Sequence, residues 1–390
     1  GTVFDRWETT IFYPEWTEGI TVKETENDVY SLTGTKNRWV ATWWKVSDPV
    51  LARINDAGEI FWSKVVDLSA YHLNVLNVYP YFIPTNDGGF TGSFRSNTNE
   101  GNRIFLMKLD TNGERVWVRD YDEEGFPHPG SSGFRMFQTP DSGYLLIDNY
   151  VYETQLAKVD AAGTLLWNRR YTLEDYLIGF DAELTANGGL VQIGFNPEEV
   201  SKPYNESYVI RYDPDGKMLW TTRLHSHFPG RSIKVSSVAE ESDGGFMVGG
   251  TGIFEYFEET LQERVRTRVG YFIKLSLEGA VRWIRPISTG GFCCELRECV
   301  PWHLESCPFL GTPLALTRTW DGGFVFTGGN HVFSTDNLGT MRWYVKRASS
   351  PEARRFNDNN IELARNGTYL VFGTSVSQDH IHLTNIDVAE

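Results

Sequence analysis

Cysteine and long apolar segments are scarce in this chain. Its 390 residues include 4 Cys and 5 Met, and no apolar run approaches the roughly 20 residues that span a bilayer. No signal-peptide pattern opens the chain, and residue 1 is Gly rather than Met, so we expect the sequence to begin at a processing site. A helical 3.6-residue period of apolar positions is also missing, which favours an all-β protein.

Positive charge is in short supply as well. The chain has 36 Lys and Arg against 51 Asp and Glu, a formal net charge of -15. Phosphate backbones and anionic lipid surfaces attract basic proteins. We therefore expect no nucleic-acid partner and no binding to anionic membranes, and the lack of a long apolar run predicts no membrane insertion.

Two short motifs are repeated along the whole chain. The first is a turn that opens an apolar run with an aromatic residue or Leu, and it occurs seven times. The second is Gly-x-x-x-Trp, which occurs six times. In the seven copies of the turn motif, the apolar run begins at Tyr30, Phe90, Tyr144, Leu190, Phe246, Phe324 and Tyr369. The six copies of the Gly-x-x-x-Trp motif are Gly58/Trp62, Gly113/Trp117, Gly163/Trp167, Gly216/Trp220, Gly279/Trp283 and Gly339/Trp343.

The repeat predicts four-stranded antiparallel blades. In the second repeat, alternating polar and apolar residues predict strands at about 78-84, 90-95, 103-110 and 114-120, with Gly-containing turns between the first and second strands and between the third and fourth. Seven such units predict a seven-bladed β-propeller that forms one domain over residues 1-390. Every recurring Trp and Gly is expected to serve blade packing.

The last repeat lacks its fourth strand. The chain stops at Glu390 shortly after a third strand near Ile381 to Asp387, whereas the N-terminal stretch Thr2 to Thr9 has strand character. We predict that this assembly strand, with Val3, Phe4 and Trp7, completes the last blade of its own chain or of a neighbouring chain. In the second case, head-to-tail exchange would build a filament.

The repeats resemble the propeller repeats of secreted and surface proteins of archaea and bacteria. The resemblance rests on turns such as Asp87-Gly88-Gly89-Phe90 and on Lys108-Leu109-Asp110 and Lys158-Val159-Asp160 before Gly-x-x-x-Trp. It covers nearly the whole chain and implies a propeller of diverse function. The Gly-x-x-x-Trp element also resembles, more distantly, the tryptophan-docking repeat of quinoprotein dehydrogenases.

The four cysteines are clustered within one loop. Their spacing lacks the paired Cys-x-x-Cys of a zinc site, and an even local cluster is typical of disulfides in an oxidising compartment. We predict two disulfides, an extracellular or cell-surface location after removal of a signal sequence, no metal and no cofactor. The cysteines are Cys293, Cys294, Cys299 and Cys307.

Length variation predicts where function is located. With the four strands of a blade lettered A to D, the B–C connections and the D–A connections to the next blade vary most, with insertions at about 252-268 and 288-311. Variable loops on a rigid frame often carry binding residues. Their aromatic side chains suit sugar stacking or protein contact, while burial under the loops is the alternative. The candidates are Trp39, Trp43, Trp44, Phe126, Tyr204, Phe228, Tyr256 and Trp302.

No nucleophile elbow, phosphate-binding loop or other catalytic motif is present in the sequence. We therefore expect a non-enzymatic extracellular scaffold that self-associates into a homopolymer and has no catalytic residues. The alternative is a propeller that binds a glycan or a surface protein. A second alternative is a glycan-active or quinone-dependent enzyme.

Overall fold

A computed structural model describes most of the chain. The described residues are 2–11, 18–26, 29–41, 44–55, 57–71, 80–98, 101–122, 126–127, 134–150, 152–173, 178–195, 206–224, 232–258, 263–286, 313–328, 331–346, 356–365, 367–375 and 381–389. They form 28 strands and one 3₁₀ turn, Ser69–Tyr71. No helix among them is long and apolar enough to cross a membrane.

Six blades are meanders of four consecutive antiparallel strands. Blade 1 contains β2 (Glu18–Glu26), β3 (Val29–Ala41), β4 (Trp44–Asn55) and β5 (Ile60–Val65). Blade 2 contains β6 (Tyr81–Pro84), β7 (Phe90–Thr98), β8 (Gly101–Leu109) and β9 (Arg115–Asp122). Blade 3 contains β10 (Arg135–Gln138), β11 (Tyr144–Tyr150), β12 (Glu153–Val159) and β13 (Leu165–Thr172).

The next three blades follow the same order. Blade 4 contains β14 (Ile178–Leu184), β15 (Leu190–Phe195), β16 (Ser207–Tyr212) and β17 (Met218–Arg223). Blade 5 contains β18 (Ser232–Glu240), β19 (Phe246–Glu258), β20 (Glu263–Leu275) and β21 (Val281–Pro286). Blade 6 contains β22 (Pro313–Arg318), β23 (Phe324–Gly328), β24 (His331–Thr335) and β25 (Met341–Lys346).

The remaining four-stranded sheet is composite. It joins β26 (Phe356–Leu363), β27 (Tyr369–Ser375) and β28 (Ile381–Ala389) to β1 (Thr2–Ile11) in the order β1-β28-β27-β26. The prediction of seven blades is corrected accordingly: six blades are continuous, and the last sheet is assembled from both ends of the chain. Its β1 pairs with β28 of the same chain, with a bulge between Asp5 and Trp7.

The chain divides into two compact units. The first contains residues Gly1–Leu173 and Ser350–Glu390, hence the composite sheet and blades 1 to 3, and the second contains Glu174–Ser349, hence blades 4 to 6. Within each unit, the first strands of adjacent sheets lie beside one another. This is a β-propeller arrangement of repeated blades. The expectation of one domain over 1-390 stays a prediction.

The Lys-x-Asp element ties the two turns of a blade to its sheet. In blade 2, the Lys108 ammonium donates to the Thr85 hydroxyl at 2.6 Å and to Asp87 at 2.7 Å, which fixes the first turn. Asp110 accepts the backbone N–H groups of Asn112 and Glu114, each at 2.8 Å, which closes the second turn. The recurring Lys and Asp are thus used by the frame.

Blade 3 repeats this arrangement and shows its electrostatic consequence. Hydrogen bonds from the Thr139 hydroxyl and the Lys158 ammonium hold the pKa of Asp141 at about 2, below its ordinary value of 3.8. Because the folded-state pKa is lowered, the Asp141 contribution is present above pH 3.8 and is lost as the pH falls towards 2.

The recurring Trp packs on the recurring Gly of the next blade. A β-carbon on Gly163 would lie 2.9 Å from the Trp117 ring, and one on Gly279 would lie 2.7 Å from the Trp220 ring. Both glycines also have positive φ, at 79° and 82°. Gly is therefore required twice, for the turn and for the ring above it.

The aromatic residue that opens the second strand completes this contact. Trp62 meets Phe90 of the next blade edge to face at 5.9 Å between ring centroids, and Trp220 meets Phe246 at the same distance. Trp220 also donates its ring N–H to the Leu277 carbonyl at 2.9 Å. Both halves of the repeat therefore meet at the blade interfaces within a unit.

Blade 3 departs from the repeat at one backbone position. Ser142 has φ 63°, where four other blades and the composite sheet have Gly at 77° to 85°. We expect Ser142→Gly to raise the free energy of unfolding by about 0.5 kcal/mol, because relief of left-handed strain exceeds the added entropy of the unfolded chain. Chemical denaturation measures the free energy of unfolding, with Gly188→Ser as the reverse control. A lower free energy of unfolding in Ser142→Gly would contradict the backbone strain assigned to Ser142.

Candidate functional site

Two B–C hairpins are much longer than the others. β3 and β4 pair from Val29↔Asn55 to Ala41↔Trp44, and β19 and β20 pair from Phe246↔Leu275 to Glu258↔Glu263. In blade 4, the corresponding pairing spans only Leu190↔Tyr212 to Phe195↔Ser207. At about 3.4 Å per residue, six or seven extra residues extend a sheet by roughly 20 Å.

The first long hairpin carries two of the predicted binding residues. Trp39 pairs in register with Lys45, and Trp44 pairs with Ala41, next to a register shift between Trp39 and Ala41. Trp43, the third candidate of this segment, lies outside the described residues. The hairpin therefore places two tryptophan positions near its tip.

The second long hairpin combines aromatic and charged positions. Tyr256 pairs with Val265, Glu255 with Arg266 and Phe257 with Arg264. Opposite charges across strands stabilise a hairpin modestly. The predicted insertion at about 252-268 is thus part of a hairpin that pairs as far as Glu258↔Glu263.

Phe126 is buried rather than available to a ligand. Its exposed fraction is 2%, and its ring stacks on Tyr121 at 4.2 Å between centroids. It also belongs to the core between blades 2 and 3. Of the two roles that the sequence left open, packing is the one observed for this residue.

Most other candidate positions fall outside the described residues. These are Tyr204, Phe228, Trp302 and the four cysteines Cys293, Cys294, Cys299 and Cys307. The connections around 196-206 and 288-311 are described only at residue 206. The disulfides and the roles of these aromatics stay predictions.

The predicted assembly strand is paired along its length. Val3 is opposite Val388, Phe4 opposite Asp387 and Trp7 opposite Asn385. This is the fourth-strand position that the N-terminal sequence predicted. The structure describes the own-chain alternative.

Carboxylates meet between the first strands of blades 4 and 5, a feature that the sequence analysis missed. The Glu240 carboxylate accepts the Ala186 N–H, and Glu183 accepts the Glu240 N–H at 3.4 Å. Burial, together with the nearby charges of Asp181 and Glu240, raises the pKa of Glu183 to about 8. Aligning the residues that precede each first turn would have revealed the pair.

The equivalent of Glu240 recurs at two other interfaces. Gln138 accepts the Asn86 N–H at 2.6 Å, and Glu24 accepts the Arg365 N–H. The acceptor thus binds the first turn of the preceding sheet each time. This recurrence makes Glu240 a structural acceptor.

Glu183 predicts a pH-dependent stability. Because its folded-state pKa is raised from 4.5 to about 8, the wild type loses stability as the pH rises through this interval. Glu183→Gln is expected to melt higher than wild type at pH 9 and equally at pH 4, with exposed Glu59→Gln as control. Equal melting temperatures of Glu183→Gln and wild type at pH 9 would contradict the raised pKa.

Within the described parts of the chain, no three His, Cys, Asp or Glu side chains are grouped to hold a metal ion. The two long hairpins are the candidate site that the described residues define best.

Comparisons with known proteins identify the fold. No protein-family model matches the chain, and no curated protein matches it in sequence. The polysaccharide lyase Uly1 is similar in structure with a TM-score of 0.54 and 10% identity, over 97% of this chain and 91% of that one. A protein of unknown function from Dyadobacter fermentans has a TM-score of 0.52 and 9% identity, over 99% of both chains.

A third similar structure comes from Lactobacillus plantarum. Its TM-score is 0.50 with 13% identity, over 85% of both chains. At these identities the likenesses show the fold alone. The resemblances to surface-protein repeats and to tryptophan-docking repeats stay predictions, and the comparisons place the chain among β-propellers.

Proposed function

We propose that the protein is a non-enzymatic extracellular scaffold that associates with further copies of itself. The observation that carries this proposal is the use of the repeated residues. Lys108 and Asp110 fix turns, and Trp117 with Gly163 joins two blades. These residues of the repeat serve the frame, so we assign specificity to the features that differ between blades.

The long hairpins are the main such features. Each continues as a two-stranded ribbon past the paired strands of its blade, since β18 pairs with β19 only as far as Ser232↔Ile253. Beyond that point, Glu255 faces Arg266 in register. A projecting ribbon with aromatic and mixed-charge positions suits a protein contact, because aromatic residues and Arg are enriched at interfaces.

The position of β1 favours association of completed chains over strand exchange. β1 contributes nine register pairs to its own sheet, from Thr2↔Ala389 to Ile11↔Ile381. Contacts between two different surfaces of complete copies also propagate head to tail and form filaments. Filament formation is part of the proposal, and exchange of β1 is the competing route.

A second candidate function is carbohydrate binding. Its support is the tryptophan positions of the β3–β4 hairpin, since aromatic rings stack on sugars, together with the fold shared with a polysaccharide lyase. That lyase acts on polysaccharide. At 10% identity, its activity is no more than a reason to screen glycans.

Light scattering during size-exclusion chromatography tests the proposed function. The native, non-denatured protein should show a mass that rises with concentration. A variant in which residues 254–267 are replaced by Asn-Gly, a two-residue hairpin turn, should associate less while keeping its melting temperature. A strictly monomeric protein would contradict the proposal, and glycan-array binding by that monomer would favour the second candidate.

A further inference from the structure

The last strands of the six blades have a charge opposite to that of the protein. We call β5, β9, β13, β17, β21 and β25 the outer strands. They carry ten Lys and Arg but only two acidic residues, a net charge of +8, whereas the chain carries -15. The remaining residues therefore carry -23. The basic residues are Lys64, Arg115, Arg119, Arg169, Arg170, Arg223, Arg282, Arg285, Arg342 and Lys346.

Most of these side chains are exposed. Arg115 and Arg119 of blade 2, Arg169 of blade 3 and Arg282 of blade 5 are among the exposed residues. Several also contact their own frame: the Arg119 guanidinium, for example, lies 5.9 Å from the centre of the Trp117 ring. The outer strands are thus basic at the surface.

Large apolar side chains recur beside these charges. The residue before the docking Trp is Phe61, Val116, Leu166 and Leu219 in blades 1 to 4, with exposed fractions of 57%, 60%, 55% and 50%. In blades 5 and 6 the same position holds Arg282 and Arg342. An equivalent position that stays apolar and exposed in four blades is unusual for a surface strand.

Each outer strand is also an open sheet edge. Its described residues pair only with the third strand of the same blade, as β13 does with β12. Charge on an edge strand often serves to prevent aggregation. That role explains the Arg residues but not the exposed Leu166 and Leu219, because exposed apolar groups promote edge contacts.

We infer that the outer strands dock a second copy of this chain through its acidic surface. The inference rests on the proposed self-association and adds a second contact to the one proposed for the long hairpins. Charge complementarity selects the partner, because a chain with +8 on its outer strands and -23 elsewhere carries both halves of the contact. The exposed apolar residues supply the desolvated centre of the interface, and the Arg residues attract the acidic surface of the second copy and speed association.

Salt dependence and charge reversal test this contact. Sedimentation velocity should show self-association that weakens from about 20 to 500 mM NaCl, because exposed charge pairs are screened. The variant Arg115→Glu/Arg282→Glu should weaken association at low salt at least about tenfold, since like charges then meet. The matched control Arg354→Glu/Arg355→Glu changes the net charge equally, outside the outer strands in sequence, and should associate like wild type.

A second variant distinguishes a loss of association from a folding defect. Leu166→Thr/Leu219→Thr keeps strand propensity and should also weaken association, with an unchanged melting temperature. Association that persists unchanged in both outer-strand variants would overturn the inference while leaving the proposed function standing. A monomer at low salt would overturn both, and a monomer that binds an anionic polysaccharide through Arg115 and Arg282 would assign the outer strands to a polyanion instead.

Discussion

Gly279→Ala is expected to lower the free energy of unfolding by about 3 kcal/mol or more. A β-carbon there would lie 2.7 Å from the Trp220 ring and 2.8 Å from the Thr222 hydroxyl, so the ring must shift out of its packed position. The residue also has φ 82°, which adds about 1 kcal/mol for a non-glycine residue. Denaturant unfolding measures the loss.

The matched control is Gly322→Ala. Gly322 has φ 85°, but none of the described atoms lies within 4 Å of its β-carbon position. Gly322→Ala should therefore lower the free energy of unfolding only by the cost of the positive φ, about 1 kcal/mol. Equal losses in the two variants would show that the Trp–Gly contact does not hold blades 4 and 5 together.

Lys274→Met is expected to lower the free energy of unfolding by about 3 to 5 kcal/mol, as when one partner of a buried ion pair is removed. The Lys274 ammonium lies 2.5 Å from Glu241, whose side chain is only 5% exposed, and 3.8 Å from Asp243. Without Lys274, the Glu241 carboxylate stays buried but loses the ion pair that offsets the free-energy cost of its desolvation. Thermal and denaturant unfolding measure the change.

Glu241 provides both a rescue and a pH control. The equivalent residue is Thr85 in blade 2 and Thr139 in blade 3, so Lys274→Met/Glu241→Thr should regain most of the lost stability. Burial raises the pKa of Glu241, and the loss in Lys274→Met should shrink at acidic pH, where that carboxyl is protonated. A pH-independent loss without rescue would contradict a buried ion pair.

The frame could be predicted because its determinants are local. The second repeat predicted strands at about 78-84, 90-95, 103-110 and 114-120, and the structure has Tyr81–Pro84, Phe90–Thr98, Gly101–Leu109 and Arg115–Asp122. Gly88 and Gly113 take the positive φ that the turns require. Turn residues and the alternation of polar and apolar side chains are determined within a few neighbouring residues, so a single sequence is enough to identify them.

The candidate site could not be predicted as fully, since exposure depends on distant residues. Phe126 looked like the other loop aromatics, yet it stacks on Tyr121 inside the core between blades. The pKa of Glu183 is raised first by burial and then by the nearby charges of Asp181 and Glu240, and Glu240 is 57 residues away in the sequence. The charge of the outer strands, in contrast, could be counted once the strands were located, and the sequence analysis overlooked it.

Cysteine cross-linking of the composite sheet tests most directly whether each chain completes its own last sheet. Val3 is opposite Val388 in β1 and β28, so Val3→Cys/Val388→Cys brings two thiols into register across an antiparallel pair, at a spacing that a disulfide bridges. The wild type and the two single variants control for the native cysteines. We predict a disulfide within one chain, which runs as a monomer on a non-reducing denaturing gel; a ladder of cross-linked chains specific to the double variant would show exchange of β1 and contradict the account.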